Sequence, residues 1–501
     1  MIPRLQAALL ADGYATDVVD LIDPELGRLV IAAAIAAQEC RAARPVGGYV
    51  PTQDVYLSKE NEAGWPANVR SGTDKVADGA PLDWRGLLQF REKTASYQID
   101  PTDVPALGEL ARYVYADAEL AARVSPLFAY ADDDAMRERV VGSEAVLLVG
   151  TILNRAEALG DTRPEYLSEL YAEIEKGLLA DELSGALLFP LALTRLEAEL
   201  PFEIADGITL EEITPQLQLA RAVSIGANEV NPYLVAAATH MLVIEGVVFD
   251  NSNGHLHRQI SAQYQMPGAS TADLVCEALS IVSGRPIGYA QICLKPDDWT
   301  SNSWRCDLPV VESVATVTKY PVSLNDRGWL KQYDDISSET LARLPAAFAA
   351  LRSTDRRAQL ASRRLAQAAQ RTEPDDILID ACIGIEALLG KEHAELVHRM
   401  GLRAATALSA IGWKSTVAYE ALKKVYDYRS AIVHGDEPKK KTITIAGDHF
   451  SPASTAVYLL RTLLDAHLFS EPPWTPATLD SALFDAITAA SAPDPASDGA
   501  A

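Results

Sequence analysis

The stretch that decides the C-terminal part of the fold is TVAYEALKKVYDYRSAIVHGDEPKKK, residues 416–441. Apolar side chains recur along it at helical spacing, which predicts one amphipathic helix. The inward face of that helix is predicted to carry Leu422, Val425, Tyr426 and Val433. Three lysines follow in the connecting loop.

An arginine lies inside this apolar stripe. Arg429 follows Leu422 by seven residues, so at about 100° per residue both fall on one side of the helix. A charged side chain on a packed face must be paired or have a functional role, because burial of an unpaired charge costs free energy of folding. Gly435 follows His434 and is predicted to adopt the left-handed conformation that ends a helix.

Arg429 and His434 form an Arg-x4-His pattern. Five residues correspond to about 140° around an ideal helix, so one straight helix does not aim both groups at one atom. Either the helix end bends, or two copies meet with two-fold symmetry and pool their groups. Histidine can take the proton of an RNA 2′-hydroxyl, and arginine can stabilise charge on the phosphate. The pattern therefore suits phosphodiester cleavage without a metal or a cofactor.

Three segments resemble the HEPN superfamily, in particular its ApeA-like branch. They are DDILIDACIGIEALLG at 375–390, ELVHRMGLRAATAL at 395–408 and YDYRSAIVHG at 426–435. The resemblance implies a dimerising helical bundle over residues 337–470. It also implies a metal-independent ribonuclease with Arg429 and His434 in the catalytic positions. Many HEPN nucleases have Asn, Asp or His after the arginine, whereas this chain has Ser430.

The expected partner of Arg429 is Glu386, because both lie on inward faces of helices in one bundle. Glu386 either orients the arginine, forms an ion pair that serves only folding, or transfers a proton directly. His434 has an alternative role too, since a histidine at a helix C-terminus can simply cap the last carbonyl groups.

Further residues are candidates for substrate contact. Tyr428 and Ser430 flank the arginine and either touch substrate or pack at an interface. Lys439, Lys440 and Lys441 either hold the RNA backbone or are merely solvated.

The net charge of −25 at first argues against a nucleic-acid ligand. Residues 331–470, however, hold 19 Lys and Arg against 17 Asp and Glu, so the excess acid lies elsewhere. Five cysteines without Cys-x-x-Cys spacing fit a reducing compartment. We find no secretory signal, and the longest early apolar run is too short to cross a bilayer. These features predict a soluble cytoplasmic protein without a membrane partner.

The predicted fold class is mainly α. Residues 1–194 are expected to form a mostly helical domain with an irregular segment at 43–86, and a helical pattern runs through 101–193. Residues 195–330 are expected to be mixed α+β, with a hairpin at 199–214 and strands at 242–249 and 287–294. The HEPN bundle at 337–470 is followed by an extension, 471–501, that ends in a disordered tail. The middle region also resembles the domain that precedes HEPN in ApeA-like proteins, mainly over 284–299.

The leading hypothesis is a metal-independent HEPN-type endoribonuclease that acts in antiviral defence or as a toxin, with a composite site in a homodimer. Its partners would be RNA and a trigger protein or an antitoxin. The alternative is a non-catalytic HEPN-like dimerising module that binds RNA, nucleotide or a partner protein.

Overall fold

The computed structural model describes residues 20–44, 51–53, 56–70, 81–90, 98–125, 127–223, 230–252, 268–300, 308–390, 396–435 and 442–491. Within these ranges the chain is mainly helical and contains a six-stranded sheet. The predicted class, mainly α with some α+β content, is confirmed at that level. None of the described helices combines the length and the apolar character needed to cross a membrane.

The N-terminal part is a layer of helices with a small hairpin. Its described elements are α1 (Pro24–Ala42), β1 (Tyr56–Glu60), β2 (Pro66–Arg70), α2 (Trp84–Leu87), α3 (Pro105–Ala116), α4 (Ala118–Val124), α5 (Asp134–Leu159) and α6 (Pro164–Leu179). Helix α1 begins at Pro24, because the Asp23 side chain accepts a hydrogen bond from the Leu26 backbone N–H at 3.0 Å. Apolar faces of α1, α3, α5 and α6 form one buried core. The β1–β2 hairpin lies in the segment predicted to be irregular.

The middle of the chain forms an antiparallel sheet of six strands. Its elements are β3 (Glu182–Pro190), β4 (Leu196–Glu197), β5 (Phe202–Ala205), β6 (Ile208–Glu212), α7 (Pro215–Val223), α8 (Pro232–Ala236), β7 (His240–Asp250), α9 (Ala269–Ser283), β8 (Tyr289–Pro296), β9 (Glu312–Lys319) and β10 (Ile336–Ser337). The strand order is β5-β6-β7-β3-β8-β9, and β4 pairs separately with β10. The predicted strands correspond to β7 and β8, and the predicted hairpin corresponds to β5 and β6.

The helical pattern predicted through residue 193 is wrong at β3, which lies between β7 and β8 in the sheet. A strand covered on both faces is apolar throughout, so it lacks the alternation that marks a half-exposed strand. Leu187, Leu188 and Phe189 are all buried. The packing also explains Gly185, because a Cβ atom there would lie 2.6 Å from the Lys295 carbonyl oxygen.

The C-terminal part is a helical bundle with one short hairpin. Its elements are α10 (Ser338–Ala342), α11 (Leu344–Ser353), α12 (Arg356–Ala369), α13 (Pro374–Leu389), α14 (Leu396–Ser409), α15 (Ser415–Val433), β11 (Ile443–Ile445), β12 (Asp448–Phe450), α16 (Pro452–Leu468) and α17 (Pro476–Ser491). The β11–β12 hairpin was not predicted.

Local capping explains the boundaries of these helices. Asp355 separates α11 from α12 and accepts hydrogen bonds from the backbone N–H groups of Arg357 and Ala358. Helices α13 and α16 each begin with a proline, which lacks the N–H group that has no partner at a helix start. Helix α17 lies on α14, where the Arg403 guanidinium and the Asp480 carboxylate are 2.7 Å apart. The predicted disordered tail lies largely outside the described residues.

The sheet and the bundle share one hydrophobic core. On the sheet side, α9 contributes Val275 and Leu279. Helix α11 meets them with Leu344 and Phe348. All four side chains are at most 1% exposed, so the contact between the two layers is fully dry.

Candidate active site at the end of a bundle helix

Arg429 on α15 lies beside Glu386 on α13. The Arg429 Nη2 and Glu386 Oε1 atoms are 3.6 Å apart, and each side chain is about one-third exposed (31% and 29%). The Arg429 Nε atom is buried without a hydrogen-bond partner. The predicted pairing is therefore present, as a partly exposed ion pair that leaves part of the guanidinium free to contact another group.

Tyr426 joins the same two helices one turn earlier. Its hydroxyl donates a hydrogen bond to the backbone carbonyl of Cys382 at 3.1 Å. Burial, followed by the charges of Cys382 and Glu386, raises the pKa of Tyr426 well above its usual value. Burial also raises the pKa of the Cys382 thiol to about 12, so this cysteine is not a reactive thiolate. Sequence reasoning assigned Tyr426 only to the core and missed this bridge.

The end of α15 leads into an exposed histidine. The His434 backbone N–H donates to the Ser430 carbonyl at 3.1 Å, and Gly435 follows with φ of +76°. The predicted left-handed glycine is confirmed. The His434 side chain is exposed, and within the described residues it makes no hydrogen bond or ion pair.

The prediction that Val433 packs inward is wrong, because this side chain is 52% exposed. Leu422, Val425 and Tyr426 are buried as predicted. Val433 lies within about 20° of Leu422 around the helix, so the direction of the stripe was predicted correctly. Its exposure means that no described neighbour covers this side chain, although Ile432 in the same turn is partly buried against the core.

The other candidates differ in their surroundings. Ser430 is exposed, whereas Tyr428 is half-buried and packs against the bundle core. Lys439, Lys440 and Lys441 lie outside the described residues. In the described part of the chain, no group of three or more His, Cys, Asp or Glu side chains is placed to hold a metal ion.

Helix α15 is uninterrupted through Arg429, and His434 still has right-handed backbone angles, with φ of −85° and ψ of 0°. The separation of about 140° predicted for an ideal helix therefore applies to this pair. The left-handed turn occurs only after His434, so it does not rotate the imidazole toward Arg429.

Comparison of the chain with protein-family models, with curated proteins and with solved structures gives no match.

Proposed function

We propose that this protein is a metal-independent endoribonuclease of the HEPN type, an effector of antiviral defence or a toxin. One observation carries the proposal. A guanidinium anchored by Glu386 and an imidazole without a described partner both reach the surface at the end of one helix, α15. An imidazole can supply the base, and a guanidinium the charge stabilisation, that phosphodiester cleavage through a 2′-hydroxyl requires.

The roles follow from the chemistry of the two side chains. His434 takes the proton of the 2′-hydroxyl, whose oxygen then attacks the adjacent phosphorus. The bond from phosphorus to the 5′-oxygen breaks and that oxygen takes up a proton from solvent, while Arg429 stabilises the negative charge that builds on the phosphate. The products are a 2′,3′-cyclic phosphate, or the 3′-phosphate after its hydrolysis, and a 5′-hydroxyl end. Glu386 holds Arg429 in place, and Ser430 and Tyr428 flank the substrate.

The active form in this proposal is a homodimer with a composite site. Because the two groups diverge by about 140° on an uninterrupted helix, a second copy is needed to bring a guanidinium to an imidazole. The exposed Val433 side chain, next to His434, offers apolar surface for such a contact. The rest of the chain would sense a trigger, restrain the nuclease or select the RNA, and an antitoxin is a further candidate partner.

The test is cleavage of total RNA by purified protein in the presence of EDTA. We expect cleavage by the wild-type protein and its loss in His434→Ala with an unchanged oligomeric state. The matched control is His449→Ala, which removes another exposed histidine from the same bundle. Equal cleavage by His434→Ala would show that the activity comes from a contaminant and would overturn the proposal.

The rival function is a non-catalytic dimerising module that binds RNA, nucleotide or a partner protein. It is favoured by the same ion pair, because Glu386 and Arg429 can stabilise the bundle without any chemistry. Ser430, which stands where many HEPN nucleases have Asn, Asp or His, also favours the non-catalytic function. An intact dimer that binds RNA without cutting it would support this rival.

A further inference from the structure

Two adjoining cavities open between the sheet layer and the bundle, and Glu277 lines both. Their volumes are about 500 and about 600 Å³, and both are lined by residues of α9 and α12. Ligand sites are commonly cavities of roughly 300–1,000 Å³ at boundaries between structural layers. None of the candidate nuclease residues lines either cavity, so this cleft is a separate place in the molecule.

The lining of the cleft has the opposite charge to the protein as a whole. The two cavities together carry two carboxylates, Asp273 and Glu277. Their six cationic side chains are Arg285, Lys319, Arg352, Arg363, Arg371 and Arg461. Lys319 is paired with Asp273 at 3.0 Å and Arg371 with Asp380 at 2.9 Å, so the excess positive charge comes from the other four. The whole chain has a net charge of −25. A positively charged cleft raises the local concentration of small anions, even in an acidic protein.

Two of these arginines have no carboxylate partner. The Arg285 Nη1 atom donates to the backbone carbonyl of Asp334 at 2.5 Å, and Arg461 Nη1 donates to the carbonyl of Gly284. No carboxylate of the described residues forms an ion pair with either guanidinium, and the Arg285 Nε and Nη2 atoms are buried without a partner. Burial lowers the pKa of both arginines. Asp334 and Asp335 near Arg285, and Asp465 near Arg461, compensate part of this charge without forming an ion pair. A bound anion would compensate more of it.

The floor of the first cavity is apolar. Leu365 and Ala369 of α12, Ile377 of α13 and Val457 of α16 all line it. Together with the cations, this floor suits a molecule that has a charged end and a compact organic body.

A polynucleotide track is less well matched to this lining. Single-stranded RNA is usually held by open aromatic faces on which successive bases stack. Tyr458, which lines the first cavity, is already stacked on Trp413 with the ring centroids 5.7 Å apart. The Arg461 guanidinium lies 4.9 Å from the same Tyr458 ring. Tyr289 and Phe348, in the second cavity, are buried.

We propose that this cleft is a binding site for a phosphate-bearing small molecule. The phosphate lies near Arg285, Arg461 and Lys319, and the organic body lies over Leu365, Ala369 and Val457. Because the site shares no residue with the candidate nuclease, it does not depend on RNA cleavage.

The experiment is titration calorimetry of the full chain with inorganic pyrophosphate at pH 8. We expect saturable binding by the wild-type protein and a Kd raised at least tenfold by Arg461→Gln, which corresponds to about 1.4 kcal/mol. Arg461→Lys keeps the charge and should retain more of the affinity than Arg461→Gln. Glu277→Gln removes a negative charge from the wall and should tighten binding.

The matched control is Arg356→Gln, which removes an exposed charge from α12 at a position outside the cleft lining. Its Kd should equal that of the wild-type protein. Ala369→Leu fills part of the floor and should weaken adenosine 5′-monophosphate and glucose 6-phosphate more than pyrophosphate. The stronger of those two ligands identifies the organic body.

Three results would overturn the proposal. One is the absence of binding by all three probes at millimolar concentration. The second is a Kd that changes equally in Arg356→Gln and Arg461→Gln. The third is binding of a single-stranded RNA oligonucleotide, but not of the small probes, that is lost in Arg461→Gln, which would assign the cleft to RNA instead.

Discussion

The hydroxyl of Ser362 on α12 donates a hydrogen bond to the Glu277 carboxylate on α9, with Oγ and Oε2 2.5 Å apart. This bond crosses from the bundle to the sheet layer. Burial is the largest influence on Glu277 and raises its pKa from 4.5 to about 7. The Ser362 hydrogen bond and the nearby charges of Arg363 and Lys319 act in the opposite direction, whereas Asp273 acts with burial.

The first prediction follows from this carboxylate. A group with a raised pKa in the folded state binds its proton more tightly there, so stability falls as pH rises from 4.5 to about 7. Glu277→Gln removes that loss and should raise the free energy of unfolding at pH 8 by up to about 3 kcal/mol. At pH 5 the two proteins should differ little. Denaturant unfolding of the wild-type protein and of Glu277→Gln at pH 5 and pH 8 measures this difference in the free energy of unfolding.

The control for that prediction is Glu245→Gln, on an exposed position of β7. Its effect should be small at both pH values. A Glu277→Gln effect that is the same at pH 5 and pH 8 would contradict the assigned protonation.

The second prediction concerns the ion pair at the candidate active site. Glu386→Ala should lower the free energy of unfolding by about 1 kcal/mol, because the pair is partly exposed and such pairs contribute up to about that amount. It should lower RNA cleavage as well, because Arg429 is no longer held. Glu386→Gln keeps the shape of the side chain. Its stability and its RNA cleavage should therefore lie between those of the wild-type protein and those of Glu386→Ala. A fully stable but inactive Glu386→Ala protein would contradict the structural role.

The third prediction tests whether two copies form the site. Arg429→Ala and His434→Ala should each be inactive alone, but a mixture refolded together should regain activity. Random pairing gives half heterodimers, each with one intact site of two, or about a quarter of wild-type activity. Mixed samples are compared with each variant at the same total concentration. No recovery, with heterodimers demonstrated by mass, would place both groups within one copy.

The fourth prediction uses two helical glycines in opposite surroundings. A Cβ atom at Gly384 on α13 would lie 2.6 Å from the Leu460 Cδ2 atom and 3.3 Å from the Ala361 carbonyl oxygen. Because Leu460 is fully buried, Gly384→Ala should cost about 1–3 kcal/mol of stability.

The matched control for Gly384 lies in the N-terminal layer. A Cβ atom at Gly142 on α5 meets nothing within 4 Å. Gly142→Ala should therefore stabilise the protein by about 0.5–1 kcal/mol. Thermal melts of the two variants should move in opposite directions, and two shifts of the same sign would contradict the packing described for α13.

Sequence reasoning succeeded where the signal is local. The glycine that follows His434, predicted to end the helix in the left-handed conformation, is determined by its immediate neighbours. The pairing of Arg429 with Glu386 was also predictable, because two charges on inward faces of one bundle have few other partners.

It failed where the environment is set by distant parts of the chain. Strand β3 is apolar on both faces, so nothing in its own sequence distinguishes it from a buried helix. Val433 continues the apolar stripe of α15, but no described part of the chain packs over it and the side chain is exposed. Glu277 and Ser362 are 85 residues apart, so the cleft that they border has no local signature.

The dry contact between α9 and α11 limits how the chain can be divided. A fragment that starts at Ser337 would expose Leu344 and Phe348 to water, and the piece left behind would expose Val275 and Leu279. Both fragments would then expose apolar surface to water and tend to aggregate. Excision of the bundle for transplantation into another chain should therefore be accompanied by polar replacements along α11.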